Sequence, residues 1–363
     1  MSKELDKLLQ EMNKKFGEEG TIKEFGEGVA NVEAIPTGIP SLDLITGVGG
    51  FPRGRIIELY GPEGSGKTTV ALRAMAEAQR LAGQLPRMTY QADPSTVKKI
   101  TGRVGMLDVE HALSPSLVEI QGVKTGAGSG FFFDQPTGGD EALNKLSMMV
   151  QSNLFDIIVV DSVAGLTTLE ERNNEAGDNT MATTARLMSA ELKKLTSLIN
   201  MSRTIVIFTN QIREKPAVIY GNPETTPGGR ALKFYSSMRI RVARGESINE
   251  GTNRVGHRMK LTINKNKVAP PFQSTEVDLY YVDAKGKKAG FDIHSDFINT
   301  ARGMGIVELR GSQYRYVDRE TGEIFKANGK VAFEKLLEEK PEIHTMIMNE
   351  VLGVNYNDSE QTE

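Results

Sequence analysis

The chain has 363 residues, a formal net charge of −3 and 39% hydrophobic residues, which indicates a folded protein with a substantial core rather than a disordered chain. It contains no Cys and only 4 His, a composition that argues against a disulfide framework, a thiolate zinc site and a histidine metal cluster. The sequence has no apolar run near the roughly 18 residues of a membrane span and no signal peptide at its start, so we expect a cytoplasmic protein without a membrane partner.

The first predicted element is an amphipathic helix at the N-terminus. Apolar residues recur there at helical spacing, at Leu5, Leu8, Leu9, Met12 and Phe16. Gly17 and Gly20 end the pattern. Two interpretations stay open. The helix packs on its own core, or it docks on a neighbouring subunit, since residues 1–32 lie outside the part of the chain that carries the motifs below.

From residue 33 onward, predicted strands alternate with predicted helices, and this alternation indicates a parallel sheet covered by helices. The strands fall at 56–60, 104–109, 157–160 and 204–208, and the helices fall at 68–81, 141–151 and 182–200. Further strands at 239–242, 258–264 and 276–281 follow without long helices between them.

Composition then divides the chain into parts. A Gly- and Lys-containing stretch at 283–290 predicts a linker. We therefore predict a core at 33–285 and a small α+β domain at 286–354. Residues 355–363 form a polar tail that we predict to be disordered.

A phosphate-binding loop (P-loop) is predicted between the first of these strands and the helix that follows it. The pattern G-x-x-x-x-G-K-[ST] is matched at every fixed position, and the nucleotide-binding candidates are Gly61, Pro62, Glu63, Gly64, Ser65, Gly66, Lys67, Thr68 and Thr69. Glycines let successive N–H groups curl around phosphate oxygens, and the helix N-terminus adds positive potential. Lys67 then reaches the β- and γ-phosphates of ATP, and the Thr68 hydroxyl helps to hold Mg²⁺.

Acidic residues follow two other predicted strands. Asp161 ends a buried apolar strand, where it faces the P-loop and can help to hold Mg²⁺. The alternative for Asp161 is a helix N-cap. Asp108 and Glu110 end the strand at 104–109, and a carboxylate there can polarise the water that attacks the γ-phosphate. Spacing alone does not choose between these two acids, and an exposed loop acid is the plain alternative.

Two amides and an irregular loop follow the strand at 204–208. Asn210 and Gln211 can contact the γ-phosphate and report its presence to the next loop, whereas a capped strand end is the alternative. The stretch 214–229 holds three Pro and three Gly. Basic residues flank it and Tyr220 lies within it, which suits single-stranded nucleic acid. A surface loop is the simpler interpretation.

Together these segments resemble the bacterial RecA recombinase family over nearly the whole chain. The densest matches are residues 61–69, 110–113, 158–164, 210–213, 221–226, 228–229 and 231–235. Many ATPases share the P-loop, whereas the run 221–235 is much more specific to this family. The resemblance implies an α/β fold: a RecA-like P-loop ATPase core with a mostly parallel sheet, an N-terminal helical polymerisation element and a small α+β C-terminal domain.

The resemblance also implies roles for individual residues. Glu110 corresponds to the catalytic carboxylate and Gln211 to the γ-phosphate sensor. Lys265 and Lys267 correspond to lysines that reach the nucleotide of the neighbouring subunit, and Phe234 corresponds to a subunit-interface residue. DNA binding is assigned to two loops, at 170–182 and 214–229, and to residues beside them. The candidates in the loops are Met181, Tyr220, Asn222, Gly228 and Gly229; Arg186 and Lys193 lie on the helix after the first loop, and Arg213 precedes the second.

The sequence departs from the family pattern in three places. The segment 84–103 is inserted between a helix and a strand, and it carries Arg87, Lys98, Lys99 and Arg103. Ser114 and Leu117 stand where the family usually has an acid and an aromatic residue that hold adenine. The acidic tail is shorter than in many members. This divergence suits a phage-encoded member, and it makes the base pocket unusual.

The sequence thus predicts a DNA-dependent ATPase that uses ATP and Mg²⁺. It would form a helical homo-oligomeric filament on single-stranded DNA, pair it with homologous double-stranded DNA and exchange strands. The alternatives are a ring-shaped helicase motor on the same core, a small-molecule kinase, and an ATP-binding DNA filament scaffold without strand exchange. The N-terminal helix and the C-terminal domain favour a filament over a ring, and the irregular loop after Gln211 argues against a kinase.

Overall fold

A computed structural model describes residues 3–16, 32–88, 97–168, 183–214 and 224–352. Its helices are α1 (Lys3–Phe16), α2 (Pro40–Ile45), α3 (Lys67–Arg80), α4 (Pro115–Ile120), α5 (Gly139–Gln151), α6 (Thr183–Ser202), α7 (Ala231–Tyr235), α8 (Ile293–Gly303), α9 (Lys330–Glu339) and α10 (Pro341–Leu352). Its strands are β1 (Glu33–Ile35), β2 (Phe51–Pro52), β3 (Ile56–Gly61), β4 (Arg87–Met88), β5 (Val104–Asp108), β6 (Phe131–Asp134), β7 (Ile157–Asp161), β8 (Ile205–Gln211), β9 (Arg213–Glu214), β10 (Glu224–Thr225), β11 (Met238–Glu250), β12 (Asn253–Asn266), β13 (Ser274–Tyr280), β14 (Gly290–Phe291), β15 (Val307–Arg310), β16 (Gln313–Val317) and β17 (Ile324–Asn328).

A nine-stranded sheet of order β14-β13-β12-β11-β3-β8-β7-β5-β6 forms the centre of the fold. The neighbours from β11 through β3, β8, β7 and β5 to β6 are parallel, and β11 to β14 are antiparallel. The predicted α/β class with a mostly parallel sheet is therefore confirmed. In parallel strands the carboxyl ends share one edge of the sheet, so the residues that end β3, β5, β7 and β8 are brought together there.

Both faces of the sheet are buried, so most residues of an inner strand are apolar and the strands appear in the sequence as continuous apolar runs. On β7, Ile157 and Val159 belong to one apolar cluster, whereas Ile158 and Val160 belong to a second cluster on the opposite face. The first cluster also contains α3, and the second contains α5 and α6. The helices therefore cover the sheet from both sides and hold the strand ends in place.

Two parts of the sheet were not expected from the sequence. One of them is β6, the strand at one edge of the sheet, in which Phe132 and Phe133 are 51% and 46% exposed. Strands β11 and β12 form a hairpin that extends well beyond the predicted segments at 239–242 and 258–264. The outer end of β11 is exposed. The residues there are mostly polar and do not alternate with apolar ones, so a prediction from apolar periodicity makes the strand too short.

The inserted segment is partly described, and its ends pack on the core. β4, near its start, pairs with β1 in a small sheet of order β2-β1-β4. Arg53, whose side chain is fully buried, connects the other end of the segment to the core. Its guanidinium donates to the Lys98 carbonyl at 2.6 Å and forms an ion pair with Asp156 at 3.4 Å. Residues 89–96, within this segment, lie outside the described ranges.

A separate apolar cluster organises the C-terminal region. Helices α8, α9 and α10 and the sheet β15-β16-β17 enclose Phe297, Tyr316 and Phe333. β14 lies beyond the predicted boundary at 285/286 yet still pairs with β13 of the large sheet. The carboxylate of Asp296 on α8 accepts a 2.8 Å hydrogen bond from the Ser41 N–H, which ties this region to α2. Within the described ranges, the helices lack the combination of length and apolarity that a bilayer crossing requires.

Candidate nucleotide site and its surroundings

The P-loop begins where β3 ends and passes directly into α3. Gly64 and Gly66 have φ values of +61° and +96°, a region that favours glycine. Gly61 is required for a different reason: an added Cβ would lie 2.0 Å from the Val242 carbonyl oxygen on β11. The loop therefore combines a tight curl with close contact to the sheet, as a backbone cradle for phosphate requires.

Lys67, the first residue of α3, points back into the loop. Its Nζ donates to the carbonyl oxygens of Gly61 at 3.2 Å and Pro62 at 2.8 Å. Burial lowers the pKa of Lys67, and the nearby carboxylates of Asp161 and Glu110 oppose that shift. The Ser65 hydroxyl is fully buried and finds no hydrogen-bond partner among the described residues. A buried cation and an orphaned hydroxyl within one glycine-rich turn fit a polyphosphate.

Asp161 lies beside the P-loop at the end of β7. Its Oδ2 accepts from the Thr68 hydroxyl at 2.6 Å, and its Oδ1 accepts from the Thr209 hydroxyl of β8. Burial raises the pKa of Asp161, whereas these two hydrogen bonds lower it. A carboxylate and a hydroxyl side by side are ligands that suit Mg²⁺. The helix N-cap alternative finds no support, because Asp161 belongs to β7 and bonds to two other elements.

The two acids after β5 have different environments. Asp108 is buried and accepts from the N–H groups of Ala112 and Leu113, at 3.4 and 3.1 Å, so it holds the following turn together. Glu110 is exposed and faces the P-loop region, where its Oε1 accepts hydrogen bonds from the Ser162 hydroxyl and, at 3.3 Å, from Gln211 Nε2. The geometry therefore favours Glu110 as the carboxylate available for chemistry.

A cavity of about 410 Å³ extends from the P-loop. It brings nine predicted site residues together, since its lining includes Glu63, Gly64, Gly66, Lys67, Thr68, Thr69, Glu110, Asp161 and Gln211. The cavity is also lined by residues that sequence reasoning missed, among them Ile120, His257, Tyr280 and Tyr281. His257 lies on β12, Tyr280 ends β13 and Tyr281 follows it; none of the three belongs to a recognisable sequence motif. His257 Nδ1 and the Tyr281 hydroxyl are 2.7 Å apart.

Comparison with known proteins identifies the family. A family model for the RecA N-terminal domain matches residues 3–286. Protein RecA of Halalkalibacterium halodurans is 42% identical over 93% of this chain and 87% of that protein. Protein RecA of Bacillus subtilis is 41% identical over 96% and 90%, and that of Ruminococcus albus is 42% identical over 96% and 79%.

The chain belongs to the RecA family. It therefore has a RecA recombinase role in recombination and repair, with DNA-dependent ATPase and strand-exchange activity. Family membership favours this role over the ring-shaped helicase motor, the small-molecule kinase and the filament scaffold without strand exchange. It also agrees with the site, since a P-loop with a facing carboxylate is what an ATPase needs.

The three residues that the RecA family resemblance places at a subunit interface cluster on one surface. Lys265 Nζ donates to the Lys233 and Phe234 carbonyls at 2.6 and 2.9 Å. Lys267 Nζ lies 5.9 Å from the centre of the Phe234 ring, which is itself 71% exposed. Lys265, Lys267 and Phe234 do not line the P-loop cavity of their own subunit.

The DNA-binding candidates are only partly described. Met181, Tyr220 and Asn222 lie outside the described residues. Arg186 and Lys193 are both exposed on α6, seven residues apart and so on one face of that helix. Lys193 also lines a hollow that includes Arg55 and Tyr235.

Strand pairing and close backbone contacts fix the two ends of the second predicted loop. Arg213 lies on β9, which pairs with β10 and so forms a two-stranded ribbon at the base of the loop. Gly228 and Gly229 have φ values of +80° and +73°. An added Cβ would lie 2.7 Å from Val163 at Gly228 and 2.9 Å from Ala185 at Gly229. These glycines let the loop's end pass closely between the turn at Val163, which follows β7, and Ala185 on α6.

Proposed function

We propose that this RecA family member binds ATP and Mg²⁺ and works in the cytoplasm as a helical filament on single-stranded DNA, which it pairs with homologous double-stranded DNA. The hydrogen bond from Gln211 to Glu110 carries the proposal. It connects the proposed hydrolytic carboxylate to β8, and two residues after Gln211 the chain enters the β9–β10 ribbon at the base of the second loop.

The P-loop residues 61–69 hold the triphosphate in this proposal. Lys67 Nζ exchanges its bonds to the loop carbonyls for phosphate oxygens, and the N–H groups around Gly64 and Gly66 point at the same charge. Thr68 and Asp161 hold Mg²⁺ through the oxygens that now bond to each other. When bound, Mg²⁺ neutralises charge that develops on the phosphate oxygens.

Glu110 acts as the general base that takes a proton from the attacking water. Ser162 and Gln211 hold its Oε1, which leaves Oε2 for the water. Gln211 can instead donate its amide to a γ-phosphate oxygen. A turn of the amide from Glu110 toward the γ-phosphate would move the residue that leads into the β9–β10 ribbon, so Gln211 reports the nucleotide state to the loop that follows it.

A neighbouring subunit completes the site in this proposal. Lys265 and Lys267 supply positive charge to the neighbour's nucleotide, and Phe234 packs beside them at the interface. α1, within residues 1–32, is the polymerisation element. Residues 33–285 form the ATPase core with its DNA-binding loops, and 286–354 form the small C-terminal domain. The two loops hold the DNA, with its phosphates at Arg186 and Lys193 on α6.

The deciding experiment measures ATP turnover with and without single-stranded DNA, followed by a strand-exchange assay and electron microscopy of the complex. We expect DNA-stimulated hydrolysis, strand exchange and helical filaments. Turnover that does not respond to DNA, or closed rings without filaments, would contradict the proposal.

A further inference from the structure

Glu58 is a fully buried carboxylate that the proposed chemistry does not use. It lies on β3, between β8 and β11 in the sheet. Its Oε1 accepts a 3.0 Å hydrogen bond from Asn210 Nδ2 on β8, and its Oε2 accepts from Arg239 Nε on β11. A charge in the core is costly unless it is paired, so both contacts are needed to keep it there.

The Asn210 contact leads to the subunit's own nucleotide site. Asn210 Oδ1 accepts from the Gln211 N–H at 3.0 Å, and Asn210 Nδ2 also donates to the Pro227 carbonyl at 3.2 Å. One amide side chain therefore joins Glu58 to the proposed sensor and to the end of the second loop. A displacement of the Gln211 backbone N–H would change its hydrogen bond to the Asn210 side chain.

The Arg239 contact leads to the surface that carries Lys265. Arg239 and Lys265 are register partners on β11 and β12. The Arg239 guanidinium lies 4.4 Å from the centre of the Tyr60 ring, and the Tyr60 hydroxyl accepts from Asn264, the residue before Lys265. The position of Arg239 is thus tied to the strand end from which Lys265 projects.

We propose that Glu58 is a positioning residue that couples the two nucleotide sites touched by each subunit, its own through Asn210 and Gln211 and the neighbour's through Arg239 and Lys265. This inference rests on the roles proposed above for Gln211 and for the two lysines. The Glu58 side chain is fully buried and that of Arg239 is only 15% exposed. Because a buried carboxylate depends on its protein partners, a change at Asn210 is passed to Arg239.

Three variants and one control test the coupling. Glu58→Gln and Arg239→Gln each remove one charge of the pair, whereas Arg239→Lys keeps the cation. Arg258→Gln is the matched control, because Arg258 forms a 2.9 Å ion pair with Asp278 between β12 and β13 of the same sheet. The measurements are the affinity for a fluorescent ATP analogue without DNA, and the Hill coefficient and rate of hydrolysis on single-stranded DNA.

We expect nucleotide affinity without DNA to stay near that of the parent protein in all four variants. Glu58→Gln and Arg239→Gln should lower the DNA-stimulated rate by roughly 2- to 30-fold, the range of a coupling residue, and bring the Hill coefficient down to about 1, the value for independent sites. Arg239→Lys and Arg258→Gln should keep cooperative hydrolysis. An unchanged Hill coefficient in Glu58→Gln, or equal losses in Arg258→Gln, would overturn the coupling.

The pH profile separates coupling from general damage. Burial, Lys267 and Arg239 lower the pKa of Lys265 to about 8, and Glu58 opposes them. Removal of the Glu58 charge therefore lowers the pKa of Lys265 further, whereas removal of the Arg239 charge raises it. The alkaline decline in DNA-stimulated turnover should move to lower pH in Glu58→Gln and to higher pH in Arg239→Gln. Shifts in the same direction would contradict the proposal.

Hydrogen exchange on the unaltered protein provides a test that does not depend on how the variants fold. Below the concentration at which the protein assembles, a slowly hydrolysed ATP analogue should change exchange at 262–267 as well as at the P-loop. A response confined to the P-loop would overturn the coupling. A parent protein whose hydrolysis ignores DNA would instead refute the proposed function, which keeps the two failures distinct.

Discussion

Gln211 Nε2 donates a 3.3 Å hydrogen bond to Glu110 Oε1, so the amide that ends β8 holds the carboxylate that follows β5. The two residues are 101 positions apart in sequence and meet only because β7 lies between their strands in the sheet. This contact places the proposed base and the proposed sensor in a single hydrogen-bonded group with Ser162. Its consequences can be tested one residue at a time.

Glu110→Gln should bind ATP but hydrolyse it slowly. Gln keeps the shape and the acceptor for Ser162 but cannot take a proton, and loss of a general base costs about 10²- to 10⁴-fold in rate. The measurements are nucleotide affinity and single-turnover hydrolysis on single-stranded DNA. The ATP-bound variant should stay locked on DNA. If it bound no nucleotide, Glu110 would be a structural residue.

Arg186→Ala and Lys193→Ala should each reduce the salt dependence of DNA binding by about one phosphate contact, as counterion release requires. The measurement is the slope of log affinity against log salt concentration. Lys194→Ala is the control, because Lys194 is the neighbour of Lys193 on α6 and pairs with Glu191 at 2.6 Å. Equal slope changes for Lys193 and Lys194 would show a general charge effect.

Tyr220→Ala should weaken single-strand binding by about 1–3 kcal/mol if the ring stacks on a base. The slope against salt should not change, since no charge is removed. Titration at several salt concentrations measures both quantities. Normal affinity with an altered slope would contradict a stacking role for Tyr220.

A Lys265→Ala, Lys267→Ala double variant should bind ATP as a monomer and lose DNA-stimulated hydrolysis. Lys67→Ala should lose hydrolysis too, because Lys67 is the P-loop's own side-chain cation for the phosphates. Mixing the two proteins should restore some turnover, since one subunit then supplies an intact P-loop and the other supplies intact lysines. The measurement is ATPase rate against mixing ratio. Normal hydrolysis by the double variant alone would show that these lysines are only surface charge.

Asp43→Asn should change how stability depends on pH. Burial raises the pKa of Asp43 from 3.8 to about 7, against the opposing effects of Arg87 and the Thr37 hydrogen bonds. The folded protein therefore holds this proton more tightly than the unfolded chain. The stability it contributes is complete below about pH 4 and is lost as pH rises through 7.

Asn keeps the acceptor for the Thr37 N–H, which donates to Asp43 Oδ1 at 2.7 Å. The variant should therefore match the parent near pH 4 and gain roughly 4 kcal/mol above pH 7, from about 1.4 kcal/mol for each of about three pKa units. Denaturant unfolding at a series of pH values measures this difference. A constant offset across all pH values would mean that Asp43 ionises normally.

Part of this site was available in the sequence because its signals are local. The P-loop needs glycine, lysine and threonine at fixed spacing, and Gly61, Lys67 and Thr68 stand at those positions between a strand and a helix. Alternating strands and helices indicate parallel pairing, which in turn places Asp161 at the same edge of the sheet. Backbone periodicity is a property of neighbouring residues, so it can be read along the chain.

The tertiary structure decided which distant residues meet. From spacing, Asp108 and Glu110 are equivalent. The fold buries Asp108 against the turn at 112–113 and leaves Glu110 beside Ser162 and Gln211. Tyr281 reaches the cavity from a different part of the chain, and no motif marks it.

The buried Glu58 is the clearest case of what the fold alone determined. Within the apolar run of β3 it is a single acid with no pattern around it. It becomes a link between Asn210 and Arg239 only because β3 lies between β8 and β11. Local periodicity predicts that strands exist but not their order in the sheet, and the strand order decides which side chains share a water-free contact.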